Sequence, residues 1–100
     1  MAAYLIAMIN VTDLDPYKEY TRVTPGIVAK FGGRFLVRGG EVVTLEGPEE
    51  TRRVVVIEFP SLGKAKEFYD SEDYKKAKEL RRGAAIGQFL AIDGVKNSPS

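Results

Sequence analysis

Two stretches of this chain are apolar on both sides of a strand, and that restricts its folds more than any other feature. Between Ala3 and Val11 the residues run Tyr4, Leu5, Ile6, Ala7, Met8, Ile9. Side chains of a strand alternate between faces, so Tyr4, Ile6 and Met8 share one side and Leu5, Ala7 and Ile9 the other. Thr51 to Phe59 repeats the pattern through Val54, Val55, Val56 and Ile57. Strands of this kind need cover above and below. With only 100 residues, 44% of them hydrophobic and 29% charged, the chain has material for one domain, and helices from its own sequence can cover only one side. We place that domain at residues 1–95 and expect Lys96 to Ser100 to be a flexible tail.

The remaining elements follow from caps and spacing. Asp15-Pro16 reads as a helix start, with a carboxylate at the cap and proline where its missing N–H costs nothing. Thr24-Pro25 repeats the signal, so the helix is expected to kink or restart there and to continue to Phe31, ended by Gly32-Gly33. Tyr17, Tyr20, Thr24, Ile27 and Phe31 line one face. Arg34 to Arg38 is a strand, expected to continue as Glu41 to Glu46 beyond a bulge at Gly39-Gly40 and to turn at Gly47-Pro48 into the strand ending at Phe59. Ser61 caps a helix to about Tyr69, and Ser71 caps another that ends near Arg81 and Gly83. Gln88 to Ile92 is the last strand.

Strand, helix, strand, strand, helix, strand is the split arrangement of a ferredoxin-like α+β sandwich, a βαββαβ chain with a four-stranded antiparallel sheet. Its crossovers put both helices on one face. The other sheet face is then open and apolar, and a second copy is the natural cover. The expected assembly is a homodimer through sheet faces, a dimeric α+β barrel.

The absence of two reactive residue types narrows the chemistry. There is no cysteine and no histidine, so disulfides, thiolate or imidazole metal sites, catalytic thiols and Ser-His-Asp triads are excluded. We expect no metal and no cofactor. Fifteen basic against 14 acidic side chains give no field to draw nucleic acid or anionic lipid. The run Lys75 to Arg82 is interleaved with Glu79 and poor in stacking aromatics, so no nucleic-acid partner is expected. The first fifteen residues contain too short an apolar run for a membrane span and no basic leader, and we read a cytoplasmic protein without a membrane role.

An ordered set of motifs adds to this. Asp15-Pro16-x-x-x-Tyr20, Phe31-Gly32-Gly33-Arg34-Phe35, Arg38-Gly39-Gly40, Leu45-Glu46-Gly47, Glu58-Phe59-Pro60-Ser61 and Phe68-Tyr69-Asp70-Ser71-x-x-Tyr74, followed by Arg81, resemble the DUF1330 family over about residues 2–95. The resemblance implies the dimeric α+β barrel superfamily. Its members include cofactor-free monooxygenases, haem-degrading enzymes, isomerases and ligand-sensing domains, and fold kinship does not choose among them.

Several residues stand out as chemical candidates. Glu58 follows four apolar residues in a central strand; either it pairs with an arginine to fix the sheet or it acts as a base in a pocket. A bulge after the hairpin would bring Arg38 opposite Glu58, with Arg34 on the same face as Arg38. Tyr20 and Tyr74 offer hydroxyls where helices meet the sheet, as core aromatics or as proton donors. Ser71 is a helix cap or, beside Tyr74, part of a small-anion site, and Arg81 is either a cation at a helix end or a clamp for a substrate carboxylate. Glu58, Tyr74 and Tyr20 are therefore the candidate catalytic groups, and Arg34, Arg38, Ser71 and Arg81 the candidate substrate contacts. Two functions fit: a cofactor-independent enzyme of isomerase or monooxygenase type acting on a small oxygenated or carboxylated molecule, or a non-catalytic dimeric module that binds a metabolite or supports an assembly.

Overall fold

A computed structural model describes residues 2–95; the expected tail at 96–100 lies outside the described residues. The elements run β1 (Ala3–Val11), α1 (Leu14–Lys30), β2 (Arg34–Arg38), β3 (Arg53–Phe59), α2 (Leu62–Asp70), α3 (Glu72–Leu80) and β4 (Ala85–Asp93). The sheet order is β2-β3-β1-β4 with every neighbouring pair antiparallel. This is the ferredoxin-like α+β sandwich that the order of elements predicted.

Burial follows the alternation. Ala3, Leu5, Ala7 and Ile9 of β1 and Val55, Ile57 and Phe59 of β3 are buried against α1, α2 and α3, which contribute Tyr17, Tyr20, Val28, Ala65, Phe68 and Tyr74 to the same core. The alternate residues Tyr4, Ile6, Met8, Val54, Val56 and Glu58 are only partly buried, and on β4 Leu90 and Ile92 are about half exposed. The Cα trace measures 44 × 37 × 16 Å, the thickness of one helical layer on one sheet. The second sheet face therefore has no cover from the described residues.

Three boundaries differ from the sequence reading. The first helix begins at Leu14 behind Asp13, and Asp15 and Pro16 fall inside its first turn, where a proline still lacks nothing because the first N–H groups have no partner. It passes through Pro25 as one helix. The last strand starts at Ala85, three residues before Gln88. The third difference is larger: Glu41 to Glu46 is not a strand. Glu50 accepts hydrogen bonds from the Arg52 backbone N–H at 3.0 Å and from its guanidinium at 2.7 and 2.8 Å, which occupies a donor that a longer ladder would have used. Residues 39–52 instead form an exposed arm on which Val43 and Leu45 face solvent.

Arg52 holds the Glu50 carboxyl down at about 2, against 4.5 for the free group. A depressed folded pKa contributes stability above the unfolded value and loses it as pH falls from about 4.5 toward 2. An NMR titration should place the Glu50 midpoint below all exposed glutamates; a midpoint at the ordinary value would remove this anchor of the arm.

The end of α1 meets β3 tightly. Gly33 donates to the Val28 carbonyl at 2.9 Å, and a Cβ on it would lie 2.7 Å from Phe59 Cε1 and 2.9 Å from Val28 Cγ1. Gly33→Ala should therefore destabilise by about 1–3 kcal/mol through overpacking, read by urea denaturation. No loss would mean that this contact yields freely.

Candidate functional site

The layer between helices and sheet contains a hydrogen-bonded polar chain. Tyr20 comes from the inward stripe of α1. Tyr74 comes from the first turn of α3, and its backbone N–H is held by the Ser71 hydroxyl at 3.1 Å. Ser71 in turn donates to the Phe68 carbonyl at 2.7 Å, so this one side chain ends α2, starts α3 and sets where Tyr74 enters the core. The hydroxyl oxygens of Tyr20 and Tyr74 are 2.7 Å apart.

Arg81 follows α3 as its C-cap and turns inward, with Nη2 donating to the Tyr74 oxygen at 3.3 Å. Its guanidinium carbon is 5.3 Å from the Tyr20 ring centre and 4.8 Å from that of Phe89. Arg81 is only 7% exposed, and its Nε is buried without a partner. A guanidinium only donates, so Tyr74 accepts from Arg81; either hydroxyl can donate in the Tyr20–Tyr74 bond, and with Tyr74 as donor the Tyr20 hydrogen is left to point at a ligand.

The electrostatics are one-sided. None of the ion pairs among the described residues includes Arg81, Arg53 or Arg38. Burial works against the Arg81 charge, but the hydroxyls of Tyr74 and Tyr20 more than offset it and raise its pKa. Burial, reinforced by Tyr74, pushes the Tyr20 hydroxyl well above the ordinary tyrosine range, and burial likewise raises Tyr17. At neutral pH the cluster is a set of charged and neutral donors. The ring faces of Tyr20 and Phe89 add to the support of the charge.

The chain borders a cavity of about 30 Å³ whose walls include Tyr20, Tyr74, Val55, Ile57 and Phe89. That is the space of about one water molecule. Outside it lies an open vestibule of about 390 Å³ lined by Leu14, Tyr17, Lys18, Thr21, Arg38 and Arg53. Tyr17, Thr21, Arg38 and Arg53 line both spaces. No carboxylate lines either.

Arg38 is held at this mouth by an unusual acceptor. In a helix the Thr21 carbonyl would receive the N–H of residue 25, but Pro25 has none. Arg38 Nη2 donates to that carbonyl at 2.6 Å instead, with its guanidinium 4.5 Å from the Phe35 ring centre. Arg53 stands over the Tyr17 ring at 5.8 Å, with Nε buried and unpartnered. The backbone passes so close at Gly39, where φ is +74°, that a Cβ there would collide with the Arg53 guanidinium.

The sequence-predicted residues thus separate into two places. Tyr20, Tyr74 and Arg81 meet inside, and Arg38 stands at the mouth. Glu58 and Arg34 lie on the opposite, open face of the sheet, where Arg34 Nε donates to Glu58 Oε1 at 2.7 Å beside Tyr4. The expected pairing of Arg38 with Glu58 does not form. The ladder irregularity falls at Leu36, not after Gly39-Gly40: Phe35 pairs with Ile57 and Val37 with Val56. That extra residue puts Arg34 and Arg38 on opposite faces. Arg53, which sequence reasoning missed, shares the parity of Val55, Ile57 and Phe59, and a charge in that register was the available signal.

Among the described residues no three acidic side chains gather where a metal ion could be held, and no helix is long and apolar enough to cross a membrane.

Fold and site together define a ferredoxin-like α+β protein with a donor-lined interior between sheet and helices. The chain belongs to the family of the domain of unknown function DUF1330, whose model matches residues 2–95. Among solved structures it is similar to a protein of unknown function from Rhodopseudomonas palustris, at 19% identity over 95% of this chain and 83% of that one, with a TM-score of 0.75. It is also similar to a dimeric ferredoxin-like protein of unknown function from Jannaschia sp. CCS1, at 10% identity over 94% and 100% of the two chains and a TM-score of 0.68. A third is SnoaB, a cofactor-independent oxygenase from Streptomyces nogalater, at 11% identity over 99% and 98% and a TM-score of 0.58. At such identities the likeness concerns the fold. No curated protein matches the chain.

Proposed function

We propose that the protein is a homodimer whose subunits each bind a small oxygenated organic molecule between sheet and helices, with its oxygen received by Tyr20 and Tyr74 and Arg81 supporting them from behind. The observation that carries this reading is the pair of buried, mutually hydrogen-bonded hydroxyls of Tyr20 and Tyr74 in the wall of a space the size of one oxygen-bearing group, with Arg81, a buried guanidinium outside every ion pair of the described residues, donating to Tyr74. Such an arrangement stabilises negative charge on a bound oxygen, because the donors are fixed in place and screened from water. Non-catalytic binding is favoured by the lack of a carboxylate or imidazole base in the cavity walls. The catalytic version of the same site is favoured by the donor chain, which would hold the enolate or phenolate left when the substrate gives a proton to water; reprotonation at another carbon completes an isomerisation, and transfer of its electrons to dioxygen begins an oxygenation. SnoaB, similar in fold, is such an oxygenase.

In this proposal Glu58 and Arg34 are not ligand contacts. Their ion pair belongs to the open sheet face, which, with the apolar arm, a second copy covers. A likeness to a dimeric ferredoxin-like protein supports that assembly, and so does the exposure of Leu36, Val37, Leu90 and Ile92 on one 16 Å slab. A cytoplasmic setting, read from the cysteine-free sequence, is part of the same proposal.

Phenol titrated by NMR tests the interior. It should shift the side-chain signals of Tyr20, Tyr74 and Arg81 saturably, and Tyr20→Phe should weaken it about 3- to 10-fold, the effect of one lost hydrogen bond. Shifts confined to the open sheet face, or affinity unchanged in the variant, would contradict the reading.

A further inference from the structure

The vestibule is as one-sided as the interior. Lys18, Arg38 and Arg53 are three cations around one open space of about 390 Å³ with no carboxylate among its lining residues, although the chain as a whole is nearly neutral. Lys18 takes part in none of the ion pairs among the described residues either. Around the cations stand Leu14, the Tyr17 ring and the Thr21 side chain, an apolar and weakly polar floor suited to a flat carbon skeleton.

We propose that this vestibule is an acid-binding subsite, so that the ligand is a hydroxy acid or oxo acid with its oxygen pole inward and its carboxylate between Arg38, Arg53 and Lys18. The proposal rests on the interior reading above and fixes the orientation that reading leaves open. Volume sets the direction. The inner cavity admits one hydroxyl or carbonyl oxygen and no ring, whereas the vestibule has space for a ring with its acid group. Arginine is also the side chain best matched to a carboxylate, through two parallel N–H donors.

Pro25 is then a positioning residue for the subsite. By lacking an N–H it leaves the Thr21 carbonyl without a backbone donor, with only the Thr24 hydroxyl at a long 3.5 Å, and that carbonyl fixes Arg38 at 2.6 Å. A proline in a helix interior costs about 3 kcal/mol, and holding Arg38 at the mouth is what that position provides. In Pro25→Ala the new N–H competes for the carbonyl, so the helix gains stability while Arg38 loses its anchor.

The test compares 4-hydroxybenzoate with phenol by NMR titration, following the arginine Nε–H signals. In the unaltered protein 4-hydroxybenzoate should bind at least about 10-fold tighter than phenol, shift the signals of Arg38 and Arg53, and weaken with added salt, while phenol does not. Arg38→Met should remove most of the advantage of the acid, read as the ratio of the two affinities. Pro25→Ala should raise thermal stability and reduce that ratio about 3-fold or more. Equal affinity for the two probes, or an advantage that survives both substitutions, overturns the subsite and leaves the interior reading standing. Failure of both probes to bind overturns both.

Discussion

Val56→Asp is expected to turn a dimer into a monomer. Val56 lies at the middle of the open sheet face, directly across from Ile6 on β1 and beside Val37 on β2. A twofold interface repeats each change, so one aspartate per chain places two unpaired carboxylates in a region that the second copy dries. Desolvating each costs several kcal/mol without a partner to offset it. In the separated subunit the same position is in contact with water, so the fold itself should lose no more than about 1 kcal/mol, as for a surface change. Sedimentation equilibrium at micromolar concentration should give twice the 11.1 kDa chain mass for the unaltered protein and the single mass for the variant. A single mass for both would remove the homodimer, and a dimer for both would move the interface elsewhere.

The second large effect separates binding from stability at one residue. Arg81→Met keeps the length and apolar stem of the side chain between the Tyr20 and Phe89 rings but removes the buried charge. The Tyr74 and Tyr20 hydroxyls offset the cost of burying that charge, so its loss should change stability by no more than about 1 kcal/mol, the donor removed from Tyr74. Affinity for phenol should meanwhile fall about 3- to 10-fold, since the Tyr74 and Tyr20 hydroxyls lose the charged donor behind them. Urea denaturation and the phenol titration read the two arms. If Arg81 were a helix-end cation alone, its loss would lower stability by about 0.3–1 kcal/mol and leave phenol binding intact. Loss of binding with little change in stability marks a group kept for its ligand.

The parts of this structure legible in the sequence are those governed by local rules. Alternation in Ala3 to Val11 and Thr51 to Phe59 located the two central strands. The hydroxyl caps at Ser61 and Ser71 located the two short helices, and both accept the backbone N–H expected of them. The spacing of Tyr17, Tyr20 and Thr24 located the inward stripe of α1. What could not be read depended on one extra residue. The irregularity at Leu36 decides that Arg34 faces the open side and Arg38 the helices, and no residue type announces it, because a bulge is a compromise between two strands rather than a property of one. The length of β2 was misjudged for a related reason. Val42, Val43 and Leu45 have the composition of a strand, but the N–H that would pair with them is taken by the Glu50 side chain.

Glu58 shows the opposite case. Its position between Ile57 and Phe59, both buried, already put it on the other face by parity, and its chemical promise as an isolated carboxylate outweighed that geometry. Arg53 was overlooked by the same neglect, since parity places it with the core. In this fold the register of a charged residue says more about its part in a site than its pKa does.

Whether the donor-lined interior accepts the oxygen of a small organic molecule is read from a crystal of the protein soaked with 4-hydroxybenzoate. The phenol oxygen should lie within hydrogen-bond distance of the Tyr20 hydroxyl, with the ring in the vestibule and the Arg81 guanidinium still seated between the Tyr20 and Phe89 rings. Electron density for the molecule only on the outer surface, or an interior filled by its own side chains at saturating ligand, would contradict it.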